Sequence, residues 1–418
     1  MKNLAHFAHF LKGFSGLFTK PCYHSFKNIV EAMVKQSDYA QANLSSCSGK
    51  TLRQVQYFFS HAKWSPFRFN LARLTWLRNH KEFRDRVSDD VILDGSVVKK
   101  DKDAKFKELA SFMYSNLCKD VVNGLMIFGA SIRTMESHCY LLDIRVFLKG
   151  KWRSEWQAWQ YFAKQVAGIT KGKLWILDRG FRNQYFLAHI LKLERLFLVR
   201  VSLSLNVLCA VKERRIKSLT GRRGKQAHFP GRQLISTKRW IKKHEPVTCE
   251  NGRLWIIPHV IINAWRAEIR RECTVIVFHR NGFRNPLVLI YSGSEIDTKV
   301  ALELVSKYIG RWSIETLFKE SKSWFCFGDF RVTSREGVYR FLYLSIFIHS
   351  FLTVLLKTIQ TSSTLSAIIG FVLQKSRNIK GCMIIGLKLF YESVLSICLT
   401  PPKWLNQKIK RTLIRYFL

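Results

Sequence analysis

Acidic residues are scarce in this sequence: 29 Asp and Glu stand against 69 Lys and Arg in 418 residues, a formal charge of +40. Self-repulsion of that size costs stability, and an enzyme of neutral substrates has no use for it, so the imbalance points to a polyanionic partner. Paired cysteines are missing too. The ten cysteines include no C-x-x-C and no repeated spacing, which argues against a zinc module and predicts buried free thiols in a reducing compartment. There is no long hydrophobic run: the longest, Phe341 to Leu356, is interrupted by His349 and is short for a bilayer crossing. Met1 to Lys20 carries His6, His9 and Lys12 where a signal peptide needs an unbroken apolar core. No membrane partner and a cytoplasmic location are the expectation. Internal repeats and low-complexity tracts are absent as well.

What is present is enough for a folded protein. Hydrophobic residues make up 47% and aromatics 13%, which excludes a disordered basic tail. The length suggests two to three domains. Residues 1–87 read as helical and as a DNA-binding region; within them Thr51 to His61 is amphipathic, with Arg53, Gln54 and His61 on polar positions. Such a helix could read DNA or could be a packed helix with a wet face. From about residue 88 the period changes to that of strands. Val91 to Asp94, Gly124 to Ala130, Tyr140 to Leu148, Lys173 to Asp178 and Leu196 to Val201 predict five strands, with helices over 155–166 and from about Asn183. Three antiparallel-capable strands followed by helix, strand, helix, strand describe a mixed α/β sheet over 88–202. Residues 203–285 predict a β-rich basic insertion. Between 211 and 250 twelve lysines and arginines face Glu213, Glu245 and Glu250, a run that repels itself without a partner and predicts nucleic-acid contact. Residues 286–330 return to strand and helix, and 331–418 form a helical C-terminal region.

The chemistry concentrates in Tyr308 to Lys322. On a helix of about 100° per residue, Tyr308, Arg311, Glu315 and Lys322 share an arc of ~60° over about four turns, while Ile314, Leu317, Phe318 and Phe325 form an anchoring face. An Arg–Glu pair at i, i+4 is also ordinary on a solvated helix face. Two aspartates, Asp94 and Asp178, each close an apolar run as a buried strand would. Phosphodiester cleavage at neutral pH needs neutralised phosphate charge, an activated water and a stabilised leaving oxygen. Two Mg²⁺ ions about 4 Å apart supply all three through hard carboxylate ligands on a rigid scaffold. Asp94 and Asp178 on strands, with Glu315 on a helix packed against the sheet, form such a candidate set.

These residues carry a resemblance. Tyr308-x2-Arg311-x3-Glu315-x6-Lys322 resembles the Tyr-Arg-Glu-Lys signature of insertion-sequence DDE transposases. Leu177-Asp178-Arg179-Gly180-Phe181 resembles the motif around that family's second acidic residue, and Leu93-Asp94-Gly95-Ser96 resembles the first. The resemblance implies a ribonuclease-H-like mixed sheet with a β-rich insertion, flanked by helical N-terminal and C-terminal regions. It further implies a metal-dependent enzyme that cleaves the ends of its insertion sequence and joins them to target DNA. Asp94, Asp178 and Glu315 would be catalytic and bind two Mg²⁺, with Mn²⁺ as a substitute. Tyr308, Arg311, Trp312 and Lys322 would contact DNA. Its partners would be double-stranded DNA, as terminal inverted repeats and target, and a second copy in a synaptic homodimer, in association with the nucleoid. A catalytically inactive DNA-binding relative and a structure-specific nuclease with the same core are the alternative readings.

Overall fold

The computed structural model describes residues 11–360 except 36–38, 80–86, 101–108, 110, 116–118, 135–138, 149, 211–218, 221–225, 228–231, 262–271, 294–295 and 324–331. The basic C-terminal tail and much of the basic run between 211 and 231 lie outside the described residues. Four helices lead the described chain: α1 (Lys20–Lys35), α2 (Gln41–Ser48), α3 (Leu52–Ser60) and α4 (Pro66–Asn79). Strands β1 (Val87–Lys99), β2 (Ser111–Ser115), β3 (Asp120–Thr134) and β4 (Cys139–Val146) follow, then α5 (Glu155–Ile169), β5 (Leu174–Leu177), α6 (Gln184–Lys192) and β6 (Leu196–Val201).

β3 pairs antiparallel with β1 and with β4, whereas β5 runs parallel to both β1 and β6. The spatial order β4-β3-β1-β5-β6, three antiparallel strands and then two parallel ones reached through helices, is the ribonuclease-H-like arrangement. The parallel strand β5 reads as a continuous apolar run because helices cover the sheet. Leu174, Trp175, Ile176 and Leu177 are all buried, and Trp159, Phe162 and Phe186 from α5 and α6 are buried in one cluster with Trp175 and Leu177.

The insertion comprises β7 (Asn206–Ala210), the two-residue strands β8 (Leu219–Thr220) and β9 (Gln226–Ala227), β10 (Arg232–Ser236), the short α7 (Thr237–Ile241), β11 (Val247–Cys249), β12 (Gly252–Ile261) and β13 (Glu272–Arg280). Its main strands do not form a sheet of their own. Through β14 (Leu287–Tyr291) they extend the core sheet on its β6 side, in the order β10-β7-β12-β13-β14-β6. The small hairpin of β8 and β9 stands apart from it.

The chain then enters α8 (Thr298–Ile309), α9 (Trp312–Ser323) and α10 (Arg335–Gln360). The apolar run from Phe341 belongs to α10, where Phe341 to Leu344 and Ile346 to Ile348 are buried in the protein core. Among the described residues no helix is long and apolar enough to cross a membrane. Buried arginines tie the N-terminal helices to this C-terminal one. Arg73 on α4 donates to Ser350 Oγ at 2.9 Å and to the Leu141 carbonyl at 2.6 Å. Arg340 donates to the carbonyls of Phe59 and Trp64 at 2.9 and 3.0 Å. Of the six described cysteines, Cys139, Cys209 and Cys273 are buried, while Cys47 is exposed.

Two sequence expectations change. Asp94 does not end a strand: β1 continues to Lys99 against β3, and only its parallel pairing with β5 stops, at Leu93 opposite Leu177. Tyr308 to Lys322 is not one helix either. α8 ends at Ile309, and Arg311 N bonds Tyr308 O at 3.0 Å in a tight turn before α9 begins. The break falls at Gly310, where the Arg133 guanidinium packs so closely that a Cβ would lie 1.2 Å from its Nη1.

Candidate active site

Parallel register places the two aspartates side by side. Leu93 pairs with Leu177, so the next residues, Asp94 and Asp178, emerge from adjacent strands at the point where pairing stops. Such a point in an open α/β sheet is a natural crevice. Glu315 arrives from α9, whose Ile314, Leu317 and Phe318 are buried against the core. Gly129, the direct partner of Asp94 across β1 and β3, is what lets α9 sit so close. A Cβ there would lie 2.4 Å from Phe318 Cζ, so the Phe318 ring occupies the space of the missing side chain. A glycine within a strand often marks such a close approach.

The three carboxylates converge on one cation, the Arg311 guanidinium. Nη1 donates to Asp94 Oδ2 at 3.2 Å, and Nη2 lies 2.5 Å from Glu315 Oε1 and 3.6 Å from Asp178 Oδ1. Asp178 and Glu315 thus present oxygens to the same nitrogen, and the separation of those oxygens cannot exceed the two distances together. Tyr308 Oη also donates to Asp178 Oδ1, at 3.1 Å. Arg311 is only 3% exposed, and its Nε finds no acceptor among the described residues.

The electrostatics follow from burial. Burial pushes the Asp94 carboxyl up to about 6; Arg311 and the Gly95 N–H, donating at 2.8 Å, pull it down, while Glu315 and Asp178 add to the rise. Burial also opposes the Arg311 charge, but Asp178, Tyr308 and Asp94, with the Glu315 hydrogen bond, outweigh it and hold the guanidinium above its ordinary value. The Tyr308 phenol is raised by burial and by Asp178 against the pull of Arg311. At neutral pH the site therefore holds a firmly charged guanidinium and a neutral phenol beside an Asp94 that titrates near pH 6.

Among the described residues no three acidic, cysteine or histidine side chains already form a metal site. The donor chemistry nevertheless fits a hard divalent cation: three carboxylates converge on one positive charge, and two rise from a rigid sheet. The four DNA-contact candidates divide. Trp312 is 64% exposed, whereas Tyr308 and Arg311 are buried and half-buried Lys322 donates from Nζ to the Val97 carbonyl at 2.7 Å. Sequence reasoning missed Gly129 as the seat of α9 and Arg311 as the counter-charge of all three carboxylates. The signal for the first was a glycine inside an apolar strand; for the second, sequence spacing reveals only the pairing with Glu315 at i, i+4.

Residues 153–351, just under half of the chain, match the family model described as the transposase DDE domain. This match supports a DDE transposase and spans Asp178, Glu315 and the segment from Tyr308 to Lys322, while Asp94 precedes it. No curated protein matches the sequence. Among solved structures the chain is similar to the NurA nuclease from Sulfolobus solfataricus, with 12% identity over 57% of this chain and 80% of that one and a TM-score of 0.25. A likeness that loose carries no argument about function.

One consequence of this packing can be tested by stability. Gly129→Ala should push Phe318 out of its seat, cost about 1–3 kcal/mol by overpacking and shift α9. Thermal melting should show the loss, and Phe318→Leu in the same chain should recover part of it. A melting temperature unchanged by Gly129→Ala would mean that α9 is not seated there.

Proposed function

We propose that the protein is a DNA transposase that cleaves the ends of its insertion sequence and joins them to target DNA. The observation that carries this reading is the convergence of Asp94, Asp178 and Glu315 on a single cation, in a chain of net charge +40. Asp94, Asp178 and Glu315 would hold two Mg²⁺, with Mn²⁺ as a substitute; when bound, the ions neutralise phosphate charge and lower the pKa of a coordinated water. In the first reaction, water attacks phosphorus at the element's end and the bond to the 3′ oxygen breaks, leaving a 3′-hydroxyl. In the second, that hydroxyl attacks a target phosphodiester, its proton leaves, and the target's own 3′ oxygen departs.

The chain's residues have distinct parts in this. Arg311 neutralises the carboxylates in the arrangement described, and a phosphate can meet its guanidinium only once those ion pairs loosen. Trp312 offers an exposed ring for stacking on a base or sugar, and Lys322, further along α9, is a point charge for a phosphate. Tyr308 orients Asp178 and reaches the DNA backbone only if that hydrogen bond is given up. Two copies would hold the two ends in a synaptic homodimer.

The test is a labelled fragment carrying one terminal inverted repeat, incubated with the full chain. Cleavage that requires Mg²⁺, is supported by Mn²⁺ and stops with EDTA is expected. Cleavage that survives EDTA would contradict the reading.

The basic run at 211–250 bears on grip rather than chemistry. Lys238, Arg239, Lys242 and Lys243, in and after α7, are exposed. Neutralising them should weaken binding about equally for all duplex sequences and reduce the salt slope, by about 0.9 for each phosphate that is no longer neutralised. An unchanged slope in a binding titration across salt concentrations would make this run an ordinary solvated surface.

A further inference from the structure

Joining brings two duplexes to one set of carboxylates, and the sheet offers two sides from which they can come. Side chains alternate across a strand, so the core is divided into two layers. Ile92, Ile127 and Ile176 share one buried cluster with Leu304 of α8 and with Ile314 and Phe318 of α9. Leu93, Phe128 and Leu177 share the second cluster with Trp159 of α5 and Phe186 of α6. The crevice where β1 and β5 cease to pair opens between these layers. Trp312 and Lys322, which contact DNA on the transposase reading, both belong to α9.

The other rim of the crevice is built by the chain that leaves Asp178. A single 3₁₀ turn, Arg179–Phe181, leads from Asp178 towards α6. Phe181 anchors it: its ring centroid lies 4.7 Å from that of Trp159, 5.5 Å from Phe186 and 6.2 Å from Trp156. Arg179 and Arg182, on either side of the anchor, are exposed, and neither forms an ion pair among the described residues. A Cβ on Gly180 would meet no atom within 4 Å, so the outer side of the turn lies open. Gln160 Nε2 of α5 donates to the Tyr185 carbonyl at 3.2 Å, holding the start of α6 beside α5, and Tyr185 itself is 44% exposed.

The charge on this side is of one sign. Between Glu155 and Glu194 the only carboxylate is Asp178, against Lys164, Lys171, Lys173, Arg179, Arg182 and Lys192, all six exposed. The field reaches inward: His189 is held below its ordinary value by burial first and then by the charges of Lys192 and Lys164. A surface so poor in counter-charge repels itself unless a polyanion covers it.

We infer that the rim formed by the Arg179–Phe181 turn, Arg182 and the start of α6 is where the target duplex lies during joining. Arg179 and Arg182 hold its phosphates as planar forks, and Tyr185 packs beside its backbone. The inference rests on the transposase reading and assigns the second DNA partner of that site to a surface of its own. The chemistry favours such a division. In an in-line displacement the attacking and leaving oxygens stand on opposite sides of phosphorus. The attacking oxygen belongs to the element's end and the leaving one to the target, so the two duplexes approach from opposite directions. Phosphate contacts carry no sequence information, so the target is held here with little regard to its bases.

The experiment gives the full chain a labelled end fragment, a target plasmid and Mg²⁺, and compares cleavage with joining. Arg182→Ala combined with Tyr185→Ala should raise the apparent KM for target about 10-fold, the usual worth of a charged contact. Joining should fall by that factor relative to cleavage at low target and recover at saturating target. Arg182→Ala alone should reduce the salt slope of target affinity by about 0.9, and Arg182→Lys should restore most of it. A benzophenone side chain introduced at position 185 should crosslink labelled target, a readout that stands even if the double variant folds poorly. Joining by the double variant with wild-type KM would overturn the inference and leave the transposase reading standing. So would crosslinking to the end fragment or to a second copy of the chain instead of target, or a proportional loss of cleavage and joining. A wild-type chain that cleaves ends but never joins them would overturn the transposase reading and the inference with it.

Discussion

Glu315→Ala is expected to lower cleavage of an end fragment by orders of magnitude while leaving the fragment bound. The carboxylate stands 2.5 Å from the Arg311 guanidinium and, on the proposed reading, would hold a divalent ion. Its loss would leave transition-state charge on the phosphate uncompensated, an effect that typically costs about 100-fold or more for one preorganised group. The side chain is half-buried and faces the other acids, so duplex affinity should change little or rise slightly as a negative charge is removed. Lys322→Ala should behave oppositely: weaker complex formation with a smaller loss of cleavage, since a point charge that holds a phosphate acts mainly on grip. Gel shift and strand cleavage on one labelled fragment separate the two effects. Proportional loss of binding and cleavage in Glu315→Ala would make the residue structural.

Arg311→Ala and Asp94→Asn should move stability in opposite directions. Removing Arg311 leaves three carboxylates facing one another with no counter-charge. Breaking a buried ion cluster from one side typically costs about 3–5 kcal/mol; about 3 kcal/mol is appropriate, because Asp178 and Glu315 are each 38% exposed. Millimolar Mg²⁺ or Mn²⁺ should then raise the melting temperature of Arg311→Ala more than that of wild type, since the ion replaces the missing charge. Asp94 has the reverse sign. Its folded pKa, about 6, exceeds the ordinary 3.8, so the folded state binds the proton more tightly. Its penalty is absent below about pH 4, grows as pH rises through about 6, and is fully present at neutral pH. Asp94→Asn should therefore stabilise the protein at about pH 7 and flatten its stability between about pH 4 and 6, while abolishing cleavage. Loss of stability at neutral pH in this variant would contradict the burial argument.

Much of the sheet was legible because buried strands announce themselves. Leu174 to Leu177 is apolar at every position and closes on Asp178, and Leu196 to Val201 is apolar except at exposed Arg200. Asp94 misled because alternation reports burial, not pairing. β1 loses its β5 neighbour after Leu93 yet continues beside β3, and no local pattern distinguishes those cases. The break before α9 was hidden for a related reason: Arg311 and Glu315 keep i, i+4 spacing whether or not the helix begins upstream. At the break the Arg133 guanidinium, from a strand far earlier in the chain, packs against Gly310, a contact no local pattern announces. The insertion read correctly as strands, but that they would extend the core sheet depended on edges the sequence does not specify.

The central claim is that Asp94, Asp178 and Glu315 form one catalytic site for both cutting and joining DNA. It is tested most directly by incubating the purified chain with a pre-cleaved end fragment bearing a free 3′-hydroxyl, a supercoiled target plasmid and Mg²⁺. Sequencing of the products then reports any junctions. Wild-type protein should covalently join the 3′ end to the plasmid, and Asp178→Asn should still bind the fragment in a gel shift but give no junctions. Fragment bound but never joined by wild type, or junctions formed equally by Asp178→Asn, would contradict the account.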